Sequence, residues 1–106
     1  MTAFQPQGTV LSFTADATAP TSVQPLALSG LQAGQVALTN TSASVDAVIG
    51  WGASDTVAKL NAVAGANQNQ YYLLRGTQVI VSANAPYFTG IAASACIVKV
   101  QAGTGN

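Results

Sequence analysis

Histidine and glutamate do not occur in this chain of 106 residues, and only six side chains carry charge: Asp16, Asp46, Asp55, Lys59, Arg75 and Lys99. Soluble domains ordinarily carry about a quarter of their residues as Asp, Glu, Lys or Arg, whereas here the fraction is 6%. Without histidine, the Ser–His–Asp and Cys–His arrangements and the zinc sites built from His and Cys are excluded. A two-carboxylate glycosidase site would need two aspartates facing each other across a groove. Calcium needs several clustered oxygen ligands. Three aspartates scattered along the chain read instead as strand, cap or loop positions. No catalytic residue, cofactor site or metal site is expected. Three dispersed cations cannot form the basic stripe that contacts phosphates, so nucleic acid is not an expected partner.

Long apolar runs are also missing. The longest, "IAASACIV" from Ile91 to Val98, is far short of the roughly 20 residues of a spanning helix, so no membrane partner is expected. The opening "MTAFQPQGTV" lacks the basic region and apolar core of a secretory signal. Cys96 is the single cysteine, which rules out an internal disulfide and implies no oxidising compartment. In "ACIVKV" it reads as a small buried hydrophobe.

What the chain does have is Thr, Ser, Gln and Asn in place of charge, and an apolar fraction of 49% in which alanine is frequent. Alanine buries little surface, so the core must rest on a few larger residues. The length fits one domain spanning residues 1–106. With net charge near zero, copies repel one another weakly and association is favoured.

Short runs rich in Val, Ile, Thr and aromatics recur at about ten-residue spacing between turn formers, the pattern of an antiparallel sandwich. Strands are predicted over 9–14, 22–28, 35–40, 45–51, 70–75, 77–82, 86–91 and 94–101. The expected fold is therefore all-β: an antiparallel, jelly-roll-like sandwich of about eight short strands. In "QVALTN", Val36 and Leu38 share one face, and in the last strand Cys96, Val98 and Val100 do so, opposite Lys99 and Gln101. "AVIGW" and "QVIVS" are apolar on both faces, which a domain this small cannot cover with its own material. Pro25 marks 22–28 as an edge or broken strand. "SDTVAKLNAVAG" predicts one short helix, capped by Ser54, with Asp55 and Lys59 four apart, Val57, Leu60 and Ala64 on one face, and Gly65 closing it. Residues 14–22 read as a small-residue loop and "QAGTGN" as a frayed tail.

Individual residues admit two readings each. "GWG" at 50–52 reads as a strand ending in a bend, with Trp51 either plugging the sandwich end or lying on the surface as a contact. "NTS" at 40–42 matches a glycosylation acceptor and also suits a turn. Arg75, before Gly76, is placed in a tight turn linking two strands as a hairpin. It serves there as a turn residue pairing Asp46 or Asp55, or as an interface arginine beside tyrosines. Adjacent Tyr71 and Tyr72 must face opposite ways, one to the core and one outward.

The succession "VDAVIGWGASD" then "YYLLRGTQVIVSANAPYFTGIAASACIVKVQAGTGN" resembles small structural proteins of tailed bacteriophages. The matching features are Tyr87, Phe88, Thr89, Gly90 and Ile91, then Cys96 to Val100, then Gly103 and Gly105, over roughly residues 35 to 105. The resemblance implies a non-enzymatic virion component: a head decoration (cement) protein, or a collar, fibre or tail part. It implies partners in the virion, namely the protein itself as a dimer or trimer and the major capsid protein. The interface expected on this reading uses Trp51, Tyr71, Tyr72, Arg75, Tyr87 and Phe88. Two other readings compete: a carbohydrate-binding module stacking sugars on Trp51 and tyrosines, and an enzyme using converging aspartates.

Overall fold

A computed structural model describes residues 5–6, 10–23, 35–63, 69–82 and 87–104. In chain order the elements are β1 (Gln5–Pro6), β2 (Leu11–Ala15), β3 (Gln35–Asn40), β4 (Ala47–Gly52), α1 (Asp55–Asn61), β5 (Gln70–Leu73), β6 (Gln78–Ser82), β7 (Tyr87–Ala92) and β8 (Cys96–Thr104). They form two antiparallel sheets, and the chain is the expected all-β sandwich with one helix. In the larger sheet β8 is flanked on one side by β3 and then β6, and on the other by β1 and β2 in succession. The smaller sheet has the order β5-β4-β7.

Period-two alternation sets the core. Phe13, Val36, Leu38, Cys96, Val98 and Val100 project from the larger sheet against Ile49, Trp51, Leu73 and Phe88 of the smaller one. Trp51 and Phe88 are cross-strand neighbours whose rings stack with centroids 5.4 Å apart and planes at 26°. Trp51 therefore plugs the interior, only 6% exposed.

Several expectations are corrected. The tail does not fray at Gln101, because β8 continues to Thr104 by pairing with β1 and β3. The turn Leu74–Thr77 is closed by Thr77 N–H donating to the Leu74 carbonyl at 3.2 Å, with Gly76 at φ 65°. Glycine, with no Cβ, takes that φ at no steric cost. Yet it is not a hairpin, since β5 pairs with β4 and β6 pairs with β3, so the turn carries the chain from one sheet to the other. Of the strand predicted over 22–28, Val23 forms a two-bond bridge with Phe88, and residues 24–28 lie outside the described ones. Asp46 sits just before β4 rather than within a strand.

The helix forms as its sequence directs but buries a different face. Ser54 Oγ accepts from Val57 N–H at 3.2 Å, and Lys59 Nζ lies 3.1 Å from Asp55 Oδ2. The chain leaves the helix at Ala62, and Gly65, like Ala64, is outside the described residues. Val57 and Leu60 stay exposed while Ala58 and Ala62 are buried. The reason is in "GWG". A Cβ on Gly50 would fall 2.3 Å from Ala62 N, and one on Gly52 would fall 2.4 Å from Val57 Cγ1. Two side-chain-free positions on the outer face of β4 let the helix lie directly on the strand, with Ala58 and Ala62 buried and Val57 packed by one methyl against Gly52.

Candidate interaction surface

The six residues expected at an interface separate into three groups. Trp51 and Phe88 are core, which corrects their placement: the stack between them is what holds the end of the sandwich. Tyr87 lies on the outer face of β7 opposite Gly52, half-buried. Tyr71, Tyr72 and Arg75 are consecutive features of β5 and the turn after it, and all three are exposed.

Tyr71 and Tyr72 do face opposite ways, since Tyr71 pairs with Ile49 and Tyr72 with Val48. Neither reaches the core, however: they are 39% and 54% exposed. β5 is the edge of a three-stranded sheet, so its inward-facing Tyr71 looks past the margin of the opposing sheet. On the outer face, Tyr72, Val48 and Ile91 stand side by side across β5, β4 and β7. Leu74, the residue after β5, is exposed, as is Val63 after the helix. A depression of about 340 Å³ opens beside this row, with Val63, Lys59 and Ile91 in its wall against Ala17–Ala19.

Arg75 seals one end of the row. Its N–H and its Nε both donate to Asp46 Oδ1, at 2.9 and 3.0 Å, and Nη2 donates to Oδ2 at 3.3 Å. The guanidinium, by hydrogen bond and then by charge, holds the Asp46 carboxyl below its ordinary 3.8. Asp55, at the other end of β4, is lowered to about 2 by hydrogen bonding from Ser22 and then by Lys59. The Ser22 N–H donates to Asp55 Oδ1 at 2.8 Å, and the Ser22 hydroxyl lies close by without a well-formed bond of its own. Asp46 and Asp55 are thus each engaged by a cation at opposite ends of a six-residue strand. That length separates them by on the order of 20 Å, beyond the span of a two-carboxylate site. With Trp51 interior, the sugar-stacking reading loses its tryptophan.

The opposite side of the sandwich is the outer face of the larger sheet. Val10, Ile80 and Ile97 are exposed there among Ser12, Thr14 and Lys99. A shallow depression of about 220 Å³ lies over Ala37 and Thr39 between Gln78 and Lys99.

One residue that matters was misread from sequence. Asn40 of "NTS" is buried, and every hydrogen-bonding position of its amide is taken. Nδ2 donates to the carbonyls of Val45 at 2.9 Å and Leu73 at 3.2 Å, and Oδ1 accepts from Ser42 N–H at 2.9 Å and Cys96 Sγ at 3.1 Å. It ties the two sheets together and offers no amide to a glycosyl donor. The Cys96 thiol beside it is pushed up by burial. Compared with protein-family models, curated proteins and solved structures, the chain matches none.

Proposed function

We propose that this chain is a non-enzymatic structural protein of a tailed-phage virion, a head decoration (cement) protein that self-associates and docks on the major capsid protein. The observation that carries the reading is the exterior itself. Both outsides of the sandwich present large exposed apolar side chains, Tyr72 on β5 with Leu74 just after it on one, and Ile97 and Ile80 with Val10 just before β2 on the other. Around them the surface is nearly free of charge, since four of the six charged groups neutralise each other in pairs. Surfaces of this composition resemble the contact regions of obligate assemblies. The likeness of residues 35 to 105 to phage structural proteins points the same way. Collar, fibre or tail placement is the alternative within the same class.

The test is immunogold labelling of purified particles with an antibody raised to the chain, together with co-sedimentation of the purified protein on heads that lack it. Label over the heads and saturable binding to shells are expected. Label over the tail would replace the decoration role by the alternative, and particles without label would overturn the virion reading.

A further inference from the structure

β6 forms one margin of the larger sheet, where it pairs with β3 and with no other described strand. The phase of that ladder is fixed by Asn40, whose N–H donates to the Thr77 carbonyl at 2.9 Å. Hydrogen-bonded pairs recur at every second residue of an antiparallel ladder, so Leu38–Val79 and Val36–Val81 are the bonded pairs in this register. The N–H and C=O groups of Val79 and Val81 therefore point at β3. Those of Gln78, Ile80 and Ser82 point away from the sheet, and no described residue bonds to them.

Sheet edges are ordinarily protected by a charge, a proline, a bulge or a covering element. β6 reads "QVIVS", with no charged residue and no proline, and its register with β3 runs unbroken from Gln78 to Ser82. A row of free donors and acceptors on such a strand is a template for another strand. The core is also open along this flank. Val79 and Val81 pack against it only partly buried. Tyr71 of β5, the margin of the other sheet and joined to β6 by the Leu74–Thr77 turn, faces inward yet is 39% exposed.

The strand is its own complement. About Ile80, "QVIVS" has the same order of polar and apolar residues in either direction. When a second β6 lies antiparallel with Ile80 opposite Ile80, Gln78 falls opposite Ser82 and Val79 opposite Val81. The outward positions of each copy then meet the outward positions of the other, and each free N–H and C=O finds a partner. An axis moved by one residue leaves Ser82 or Gln78 beyond the end of the partner strand. On the outer face Ile80, 43% exposed, packs on its mate, and on the inner face the valines of the two copies cover each other. No like charges are opposed across the pair. An isologous contact demands a self-match of this kind, and it selects a second copy over a foreign strand as the occupant.

We propose that β6 pairs antiparallel with β6 of a second copy about a two-fold axis at Ile80, joining the two five-stranded sheets into one continuous sheet. The proposal rests on the self-association part of the function above, and not on the virion part.

The test compares the full chain with Ile80→Lys by analytical ultracentrifugation, and follows Ile80→Cys and Ser82→Cys under mild oxidation on non-reducing gels. The parent is expected to form a defined two-fold oligomer. Ile80→Lys removes the central apolar pair and sets two ammonium groups opposite each other, and is expected to raise the dissociation constant about tenfold or more. Ile80→Cys is expected to give a covalent dimer, because a hydrogen-bonded pair holds its Cα atoms about 5.5 Å apart, within disulfide range. Ser82→Cys is expected to stay unlinked, since the two copies' Ser82 stand four residues apart along the strand, roughly 14 Å. The native Cys96 is buried and does not compete. Far-ultraviolet circular dichroism with thermal melts confirms that each variant folds. A parent that stays monomeric at high concentration overturns this contact and self-association together; if its capture on shells is then lost in Ile80→Lys, the edge belongs to a strand of the shell instead. A parent that oligomerises while Ile80→Lys changes nothing, or while Ser82→Cys links and Ile80→Cys does not, overturns this contact alone.

Discussion

Asn40 shows how much one side chain decides. Replacing it with leucine fills similar space but strands the buried Val45 and Leu73 carbonyls and the Ser42 N–H. Unpaired buried groups cost about 1–3 kcal/mol each, partly relieved by relaxation. Asn40→Leu is therefore expected to lower unfolding stability by roughly 2–4 kcal/mol, read as a drop in the urea midpoint at unchanged slope. A loss under about 0.5 kcal/mol, the size of an ordinary surface change, would show that the amide does not hold the sheets together. From sequence, "NTS" is legible only as a polar turn, because whether an asparagine faces water or the space between sheets depends on where Leu73 and Cys96, distant in the chain, come to rest. Cys96 itself was legible, since alternation with Val98 and Val100 marks its face without reference to any partner.

At the scale of elements, the helix and β4 form one unit. Gly50→Ala would ordinarily suit a strand, but the added methyl meets the backbone at Asn61 and Ala62 and must push the helix away. Overpacking of this kind costs about 1–3 kcal/mol, so the variant is expected to melt earlier. The measurement is thermal unfolding beside Gly76→Ala, which strains a turn but meets no close neighbour. The helix also carries the acid response. Asp55 is lowered from 3.8 to about 2 in the folded chain, so its contribution is complete above 3.8 and is lost as pH falls through about 2. Urea midpoints are expected to fall between pH 4 and pH 2, and Asp55→Asn should flatten that dependence. The cap, the ion pair and the helix itself are local features and were legible. Its buried face was not, because alanine over glycine outcompetes valine and leucine only once the strand beneath is known.

For the whole molecule the governing fact is that the sandwich shows apolar side chains on both outsides. Leu74, just after β5, is 57% exposed and contributes little to the core. Leu74→Ser is expected to change stability by no more than about 0.5 kcal/mol and to weaken capture on phage shells several-fold. Urea titration and co-sedimentation of the same preparation separate the two effects. Equal binding by the variant would move the docking surface off this face.

The sequence by itself determined the strands from β2 to β8, the helix with its cap, the Arg75 turn, the buried Cys96 and the scarcity of charge, because each depends on periodicity, local bonds or composition. β1 was not expected, and of the run over 22–28 only an isolated bridge at Val23 is seen among the described residues. Only the tertiary structure decided that Trp51 and Phe88 stack inside, that Tyr71 stays exposed on an inward face, that the Arg75 turn crosses between sheets, and that the chain leaving β2 at Asp16 bridges to Ile91 of the smaller sheet. Those outcomes depend on strand order and on which edges lie uncovered, and alternation along a single strand is the same whichever neighbour it acquires.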